Sequence, residues 1–180
     1  MPAFPPLPSA RIEHGVIPAL ALILAADALL ANRDFSRPVE ALLDEPAHLA
    51  TAFLLLSALP APRSLPFVAG LVLGAVGVDG DHVPGELGLD IITRGTGRPV
   101  THSLPTSAVL LLLSRALSGG GRVGMVGVAC GVLAHFVRDI GTGGLPLLWP
   151  ISKRRVRAPY GVYAAALLVS GGAAWWSARR

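Results

Sequence analysis

Six apolar runs shape this chain: Val16–Ala31, Ala47–Leu59, Leu65–Val78, Leu104–Leu117, Val123–Ile140 and Tyr160–Trp176. Leu, Ala, Val and Gly dominate them, without period-2 alternation. That pattern reads as helices and argues against a transmembrane barrel. One membrane crossing takes about 20 residues, usually ~17–25. The first, fifth and sixth runs approach that length; the second, third and fourth are short. Short runs extend into polar helix ends or pack as partial spans inside a bundle. The expected fold is an all-α integral membrane bundle of about six apolar helices, some short, in one domain over residues 1–180. The Pro-rich start, residues 1–15, is expected to be irregular.

Composition agrees. The chain is 52% hydrophobic and 14% charged, where a soluble domain carries about 25% charged residues. Asp27 inside the first run argues that this run is a retained helix rather than a signal-peptide core. Close-spaced glycines in "VAGLVLGAVGVDG" and "GMVGVACGV" suit tight helix contacts in a membrane. The lone Cys130 forms no internal disulfide. The basic cluster "KRRVR", Lys153 to Arg157, reads as a loop flanking a membrane segment rather than a nucleic-acid site. Trp149, Trp175 and Trp176 read as interface residues.

The ionisable residues gather at the ends of the runs. Asp44, Glu45 and His48 lie where the first loop meets the second run. Asp79, Asp81 and His82 follow the third, His102 precedes the fourth, and His135 and Asp139 close the fifth. With six crossings, all of these fall on one membrane face, and His14 falls on the other. Asp44/His48 and His135/Asp139 are i,i+4 pairs, a spacing that stacks two side chains on one helix face. Helical metalloenzymes present two ligands to one ion this way. Each piece also has a plain reading: Asp44 as a helix cap, "DGD" as a turn, each pair as a surface pair. Near lipid the plain readings weaken, because ionisable groups there are costly and usually functional. The candidate metal ligands are therefore His48, Asp79, Asp81, His82, His102, His135 and Asp139. Mixed nitrogen and oxygen donors suit a divalent metal, zinc first, with manganese or magnesium as alternatives, as one or two ions. Asp27 lies about one turn from its helix end, placed either to orient a histidine or to bond a neighbouring helix. Arg98 and Arg138 are candidates for binding a substrate phosphate, or for anchoring at the interface.

The motifs resemble those of the bacterial membrane-bound metal-dependent hydrolases of the YdjM-like family. "VDGDHVP" supplies Asp79 and Asp81, "RPVTHSL" supplies Arg98, Thr101, His102 and Ser103, and "HFVRDIGTGGLPLLWP" supplies His135, Asp139 and the closing Trp149-Pro150. His48 in "DEPAHLATA" takes the early histidine position. The resemblance spans about two-thirds of the chain. Val78 stands where the family has proline, and Gly97 where a histidine often precedes the arginine. At a distance the family is similar to zinc-dependent phospholipases C and P1-type nucleases. The resemblance implies a phosphoester substrate of lipid type, with Ser103 near the substrate and Thr101 behind the ligands.

Two functions follow as expectations. The first is a metal-dependent hydrolase of the bacterial cytoplasmic membrane, with Asp44 or Glu45 as base and Arg98 neutralising substrate charge. Its partners are membrane lipid and the lipid or phosphoester substrate, without nucleic acid. The second is a non-catalytic metal-binding membrane protein or transport component. A transporter tends to hold its ligands near the bilayer midplane on broken helices.

Overall fold

A computed structural model describes residues 12–59, 64–86, 88–89 and 98–179. Residues 1–11, Arg94 and Gly97 lie outside the described residues. The helices are α1 (Ile12–Asn32), α2 (Arg37–Ser57), α3 (Leu65–Val76), the four-residue α4 (Val83–Glu86), α5 (Leu104–Ala116), α6 (Gly119–Thr142) and α7 (Tyr160–Ser177). A 3-10 turn over Gly77–His82 joins α3 to α4. Among the described residues there is no sheet; Leu145 and Val156 form an isolated antiparallel bridge.

Local chemistry sets several helix starts. Ser36, Ser64 and Ser103 occupy the N-cap positions of α2, α3 and α5, each followed by a proline in the first turn. Proline there gives up an N–H that has no helical partner anyway. Two starts differ from expectation. α1 begins at Ile12, inside the segment expected to be irregular. α2 begins at Arg37, well before its apolar run, and closes its first turn with an Arg37–Glu40 ion pair at 3.1 Å.

The tightest packing is between α3 and α6, and glycine makes it possible. A Cβ on Gly74 would lie 2.1 Å from the Val128 carbonyl oxygen, and one on Gly131 would lie 2.2 Å from that of Leu71. Gly70 and Gly127 face the opposite backbone just as closely, at 2.0 and 2.2 Å. Backbone meets backbone along this seam, as small residues allow in membrane helices. A separate apolar core joins α1, α2 and α7 through Ile23, Leu54 and Leu167, all fully buried.

Polarity runs inside out. Large apolar side chains face outward on α1 (Ile17, Leu22), α5 (Val109, Leu112) and α7 (Leu168, Val169). Charged and polar groups are buried: Asp27, His48, His102, His135, Arg138 and Asp139. α1 and α6 are long and apolar enough to cross a membrane. The six crossings expected from the runs are not matched. α3 has 12 residues and α5 has 13, or about 18–20 Å at 1.5 Å per residue, against a hydrocarbon core of about 30 Å.

The seam makes a sharp test. Gly131→Leu should force α3 and α6 apart and destabilise the protein by at least ~1–3 kcal/mol. Gly172→Ala, where a Cβ meets nothing within 4 Å, should leave stability unchanged or slightly raised. Thermal unfolding in detergent measures both.

Candidate metal centre

Four elements deliver the site. Asp44, Glu45 and His48 sit inside α2, because that helix starts at Arg37 rather than at the apolar run. Asp44 is thus a helix-interior residue and not a cap. The 3-10 turn presents Asp79, Asp81 and His82. His102 lies in the turn before α5. His135 and Asp139 lie one turn apart near the end of α6.

All seven ligand candidates converge. His102 Nε2 lies 2.9 Å from Asp79 Oδ1, and its Nδ1 lies 3.3 Å from Asp81 Oδ2. His135 Nε2 lies 3.5 Å from Asp79 Oδ1 and 3.4 Å from Asp139 Oδ2. His48 stacks on His135 with ring centroids 3.7 Å apart, its Nε2 3.3 Å from Asp44 Oδ2. His82 Nε2 closes the far side, 3.6 Å from Asp79 Oδ1. Within each of three groups the donor atoms lie within 4.8 Å of one another: Asp79, Asp81, His82 and His102; His48, His135 and Asp139; Asp44, His48 and Asp79. His14, in the first turn of α1, is exposed and stands apart from all of them.

Unsatisfied atoms test whether a cation fits. His135 Nδ1 lies 2.9 Å from the Ala75 carbonyl oxygen. A carbonyl only accepts, so Nδ1 carries the proton and the Nε2 lone pair faces the cluster. That Nε2, both His48 ring nitrogens, both Asp81 oxygens and Asp139 Oδ2 are buried without a hydrogen bond. Buried polar atoms rarely go unpaired. Here one donor atom of each residue lies within 4.8 Å of the others in its group, and a divalent ion among them would satisfy several at once. The donor set of imidazoles and carboxylates suits such an ion.

The charges are strongly coupled. Burial opposes ionisation of Asp79, but the hydrogen bond from His102 and the nearby histidines hold its carboxyl well below the usual range. Burial likewise works against protonated His102, yet bonds to Asp79 and Asp81 raise it from 6.5 to about 9. Burial, then the charge of His102, lowers His82. Glu45 is pushed up from 4.5 to about 8 by burial and by the carboxylates of Asp79, Asp44 and Asp139.

Several residues expected at the site do something else. Arg138 is wholly buried. Its Nε and Nη2 donate to Asp44 Oδ1 at 3.0 and 2.6 Å, and its Nη1 donates to Asp27 and, at 3.3 Å, to the Tyr163 hydroxyl. It holds helices together and is not placed to bind a substrate phosphate. Asp27 orients no histidine; it accepts from Arg138 and from the Tyr160 hydroxyl at 3.0 Å, the helix-bonding alternative. Ser103 is buried and donates to the Val100 carbonyl at 2.8 Å, so it shapes the turn that carries His102 rather than meeting substrate. Thr101 Oγ1 is buried without a hydrogen bond and so steers no ligand by one. Arg98 does reach the site, its Nη1 3.2 Å from Asp139 Oδ2. Tyr160, Tyr163 and the Ala75 carbonyl escape sequence reasoning, since nothing local marks a carbonyl as a histidine's partner.

The sequence pattern of the YdjM inner membrane protein family matches residues 43–179, more than half of the chain and every ligand candidate. The chain belongs to this family. It is an inner-membrane protein, with α1 and α6 as candidate spans. No curated protein and no solved structure matches it, so similarity to phospholipases C or P1 nucleases has no support from these comparisons.

Two outcomes follow. Arg138→Met leaves Asp27 and Asp44 without their cation and should cost ~3–5 kcal/mol. Arg138→Lys should restore only part of that, because an ammonium cannot span both carboxylates; chemical denaturation in detergent compares the three proteins. In metal-free protein, the folded state binds the His102 proton more tightly than the unfolded chain does. The stability gap between wild type and His102→Gln should be fully present below pH 6.5 and vanish as pH rises through about 9. Unfolding midpoints of chelator-treated protein across that range read this directly, and a gap that grows with pH would refute the ion-pair assignment.

Proposed function

We propose that this protein is a membrane-embedded, metal-dependent hydrolase that cleaves a phosphoester, of lipid type, at the membrane face. The observation that carries this reading is the convergence of four histidines and three aspartates from four elements, with buried donor atoms left unpaired. Such a set on a soluble surface would be solvated; here it is enclosed by helices with apolar outer faces. Zinc suits the donors best, with manganese or magnesium as alternatives, as one or two ions. When bound, the metal supplies Lewis acidity and makes water a stronger acid.

The residues of the chain divide the remaining work. Asp44 spends one oxygen on Arg138, which leaves Glu45 as the carboxylate free to carry a proton. Glu45 accepts a proton from attacking water and returns it to the leaving oxygen. Arg98, partly exposed beside Asp139, neutralises charge on the phosphoryl oxygens. The site is reached past Asp44, His82 and Arg98, whose side chains are 35%, 33% and 23% exposed.

Detergent-purified protein should retain a divalent metal and hydrolyse a generic phosphodiester, with activity lost on chelation and restored by metal. His135→Ala and Asp139→Ala should each reduce metal content and hydrolysis by at least ~100-fold, while His14→Ala changes neither. Full hydrolysis by His135→Ala at saturating substrate sinks the assignment. Metal retention without hydrolysis would leave the non-catalytic metal-binding role instead.

A further inference from the structure

The segment between α6 and α7 carries charge that the hydrolytic residues do not use. It leaves α6 one turn after Asp139 and is pinned back against that end. Leu145 and Val156 exchange N–H to carbonyl bonds at 3.0 and 2.7 Å, and the Ala158 N–H donates to the Ile140 carbonyl at 2.9 Å. Glycine permits this closeness. Gly144 has φ +85°, and a Cβ there would lie 3.2 Å from the Val156 carbonyl oxygen and 3.3 Å from Arg157 Cβ. A Cβ on Gly143 would lie 3.1 Å from the Arg98 guanidinium. Arg98, paired with Asp139, thus lies against Gly143, while Arg155 and Arg157 lie against the next residue, Gly144.

The exposed surface of this segment has two parts. Leu148 and Ile151 are 51% and 88% exposed. Lys153, Arg154, Arg155 and Arg157 follow and are also exposed. An apolar tip beside clustered cations suits a membrane interface, with the tip among acyl chains and the cations at phosphate depth. The charge is complementary to its neighbour as well as to lipid. The centre holds the carboxylates of Asp79, Asp81 and Asp139, and a basic rim beside them favours the approach of an anionic headgroup.

We propose that Leu148–Arg157 is a docking surface for anionic phospholipid headgroups, which holds a lipid phosphate at the edge of the metal centre beside Arg98. That the docked lipid is also the substrate rests on the hydrolase reading; the docking itself does not.

The test uses the full chain in mild detergent, stripped with chelator so that hydrolysis is silent. The protein is offered equimolar phosphatidylglycerol and phosphatidylcholine, and retained lipid is counted by native mass spectrometry. Wild type should favour phosphatidylglycerol by at least ~10-fold. Lys153→Gln/Arg154→Gln/Arg155→Gln/Arg157→Gln should abolish the preference, whereas Arg154→Lys/Arg155→Lys/Arg157→Lys should keep it. Leu148→Ser/Ile151→Ser should lower retention of both lipids. On wild type alone, 1 M salt should collapse the preference, because screening then acts within ~3 Å. Equal retention of the two lipids, a preference that survives 1 M salt, or displacement by millimolar inorganic phosphate would each overturn the proposal. Failure here leaves chelator-sensitive hydrolysis standing, and absence of hydrolysis leaves the docking standing.

Discussion

The backbone contact between α3 and α6 is the constraint on which the rest of the structure depends. Gly70, Gly74, Gly127 and Gly131 let two helices touch without side chains between them. That approach brings the Ala75 carbonyl within 2.9 Å of His135 Nδ1. It also sets the 3-10 turn after α3 beside the last turns of α6, so that Asp79 faces His135 and Asp139. A wider seam would leave His135 free to rotate and Asp79 out of reach. Packing of the smallest residues thus decides the geometry of the most polar ones.

A second constraint is charge balance in an apolar surround. Carboxylates are costly to bury without partners, and the fold disposes of them in two ways. Asp27 and Asp44 share the guanidinium of Arg138, whose planar fork reaches both, while Tyr160 and Tyr163 fill remaining hydrogen bonds. Asp79, Asp81 and Asp139 are set instead among four histidines and Arg98. The first group is internally satisfied and serves architecture. The second keeps buried donor atoms unpaired and forms the candidate metal centre. Asp44 joins the two, with one oxygen on Arg138 and the other facing His48.

Much of the site was legible because its spacing is local. His135 and Asp139 lie one helical turn apart, and so do Asp44 and His48; any helix places such pairs on one face. The 3-10 turn likewise compresses Asp79, Asp81 and His82 whatever surrounds it. The roles assigned to single polar residues fared worse. Arg138 and Asp27 had the right depth for the site, yet they meet each other across 111 residues of sequence. Ser103 belongs to a sequence motif, but its hydroxyl turns to the Val100 carbonyl. The count of six crossings is not confirmed, since α3 and α5, each with a proline in its first turn, have only 12 and 13 residues.

What the sequence determined by itself was the all-helical character, the inside-out polarity and the set of candidate metal ligands. Those depend on apolar period, composition and i,i+4 spacing, which act over a few residues. Only the tertiary structure decided which carboxylates face histidines and which face Arg138. It also decided which ring nitrogen of His135 points inward, and how near the Lys153–Arg157 run comes to Arg98. Those outcomes depend on partners far apart in the chain and on how closely glycine lets two backbones approach, and no local pattern encodes that distance.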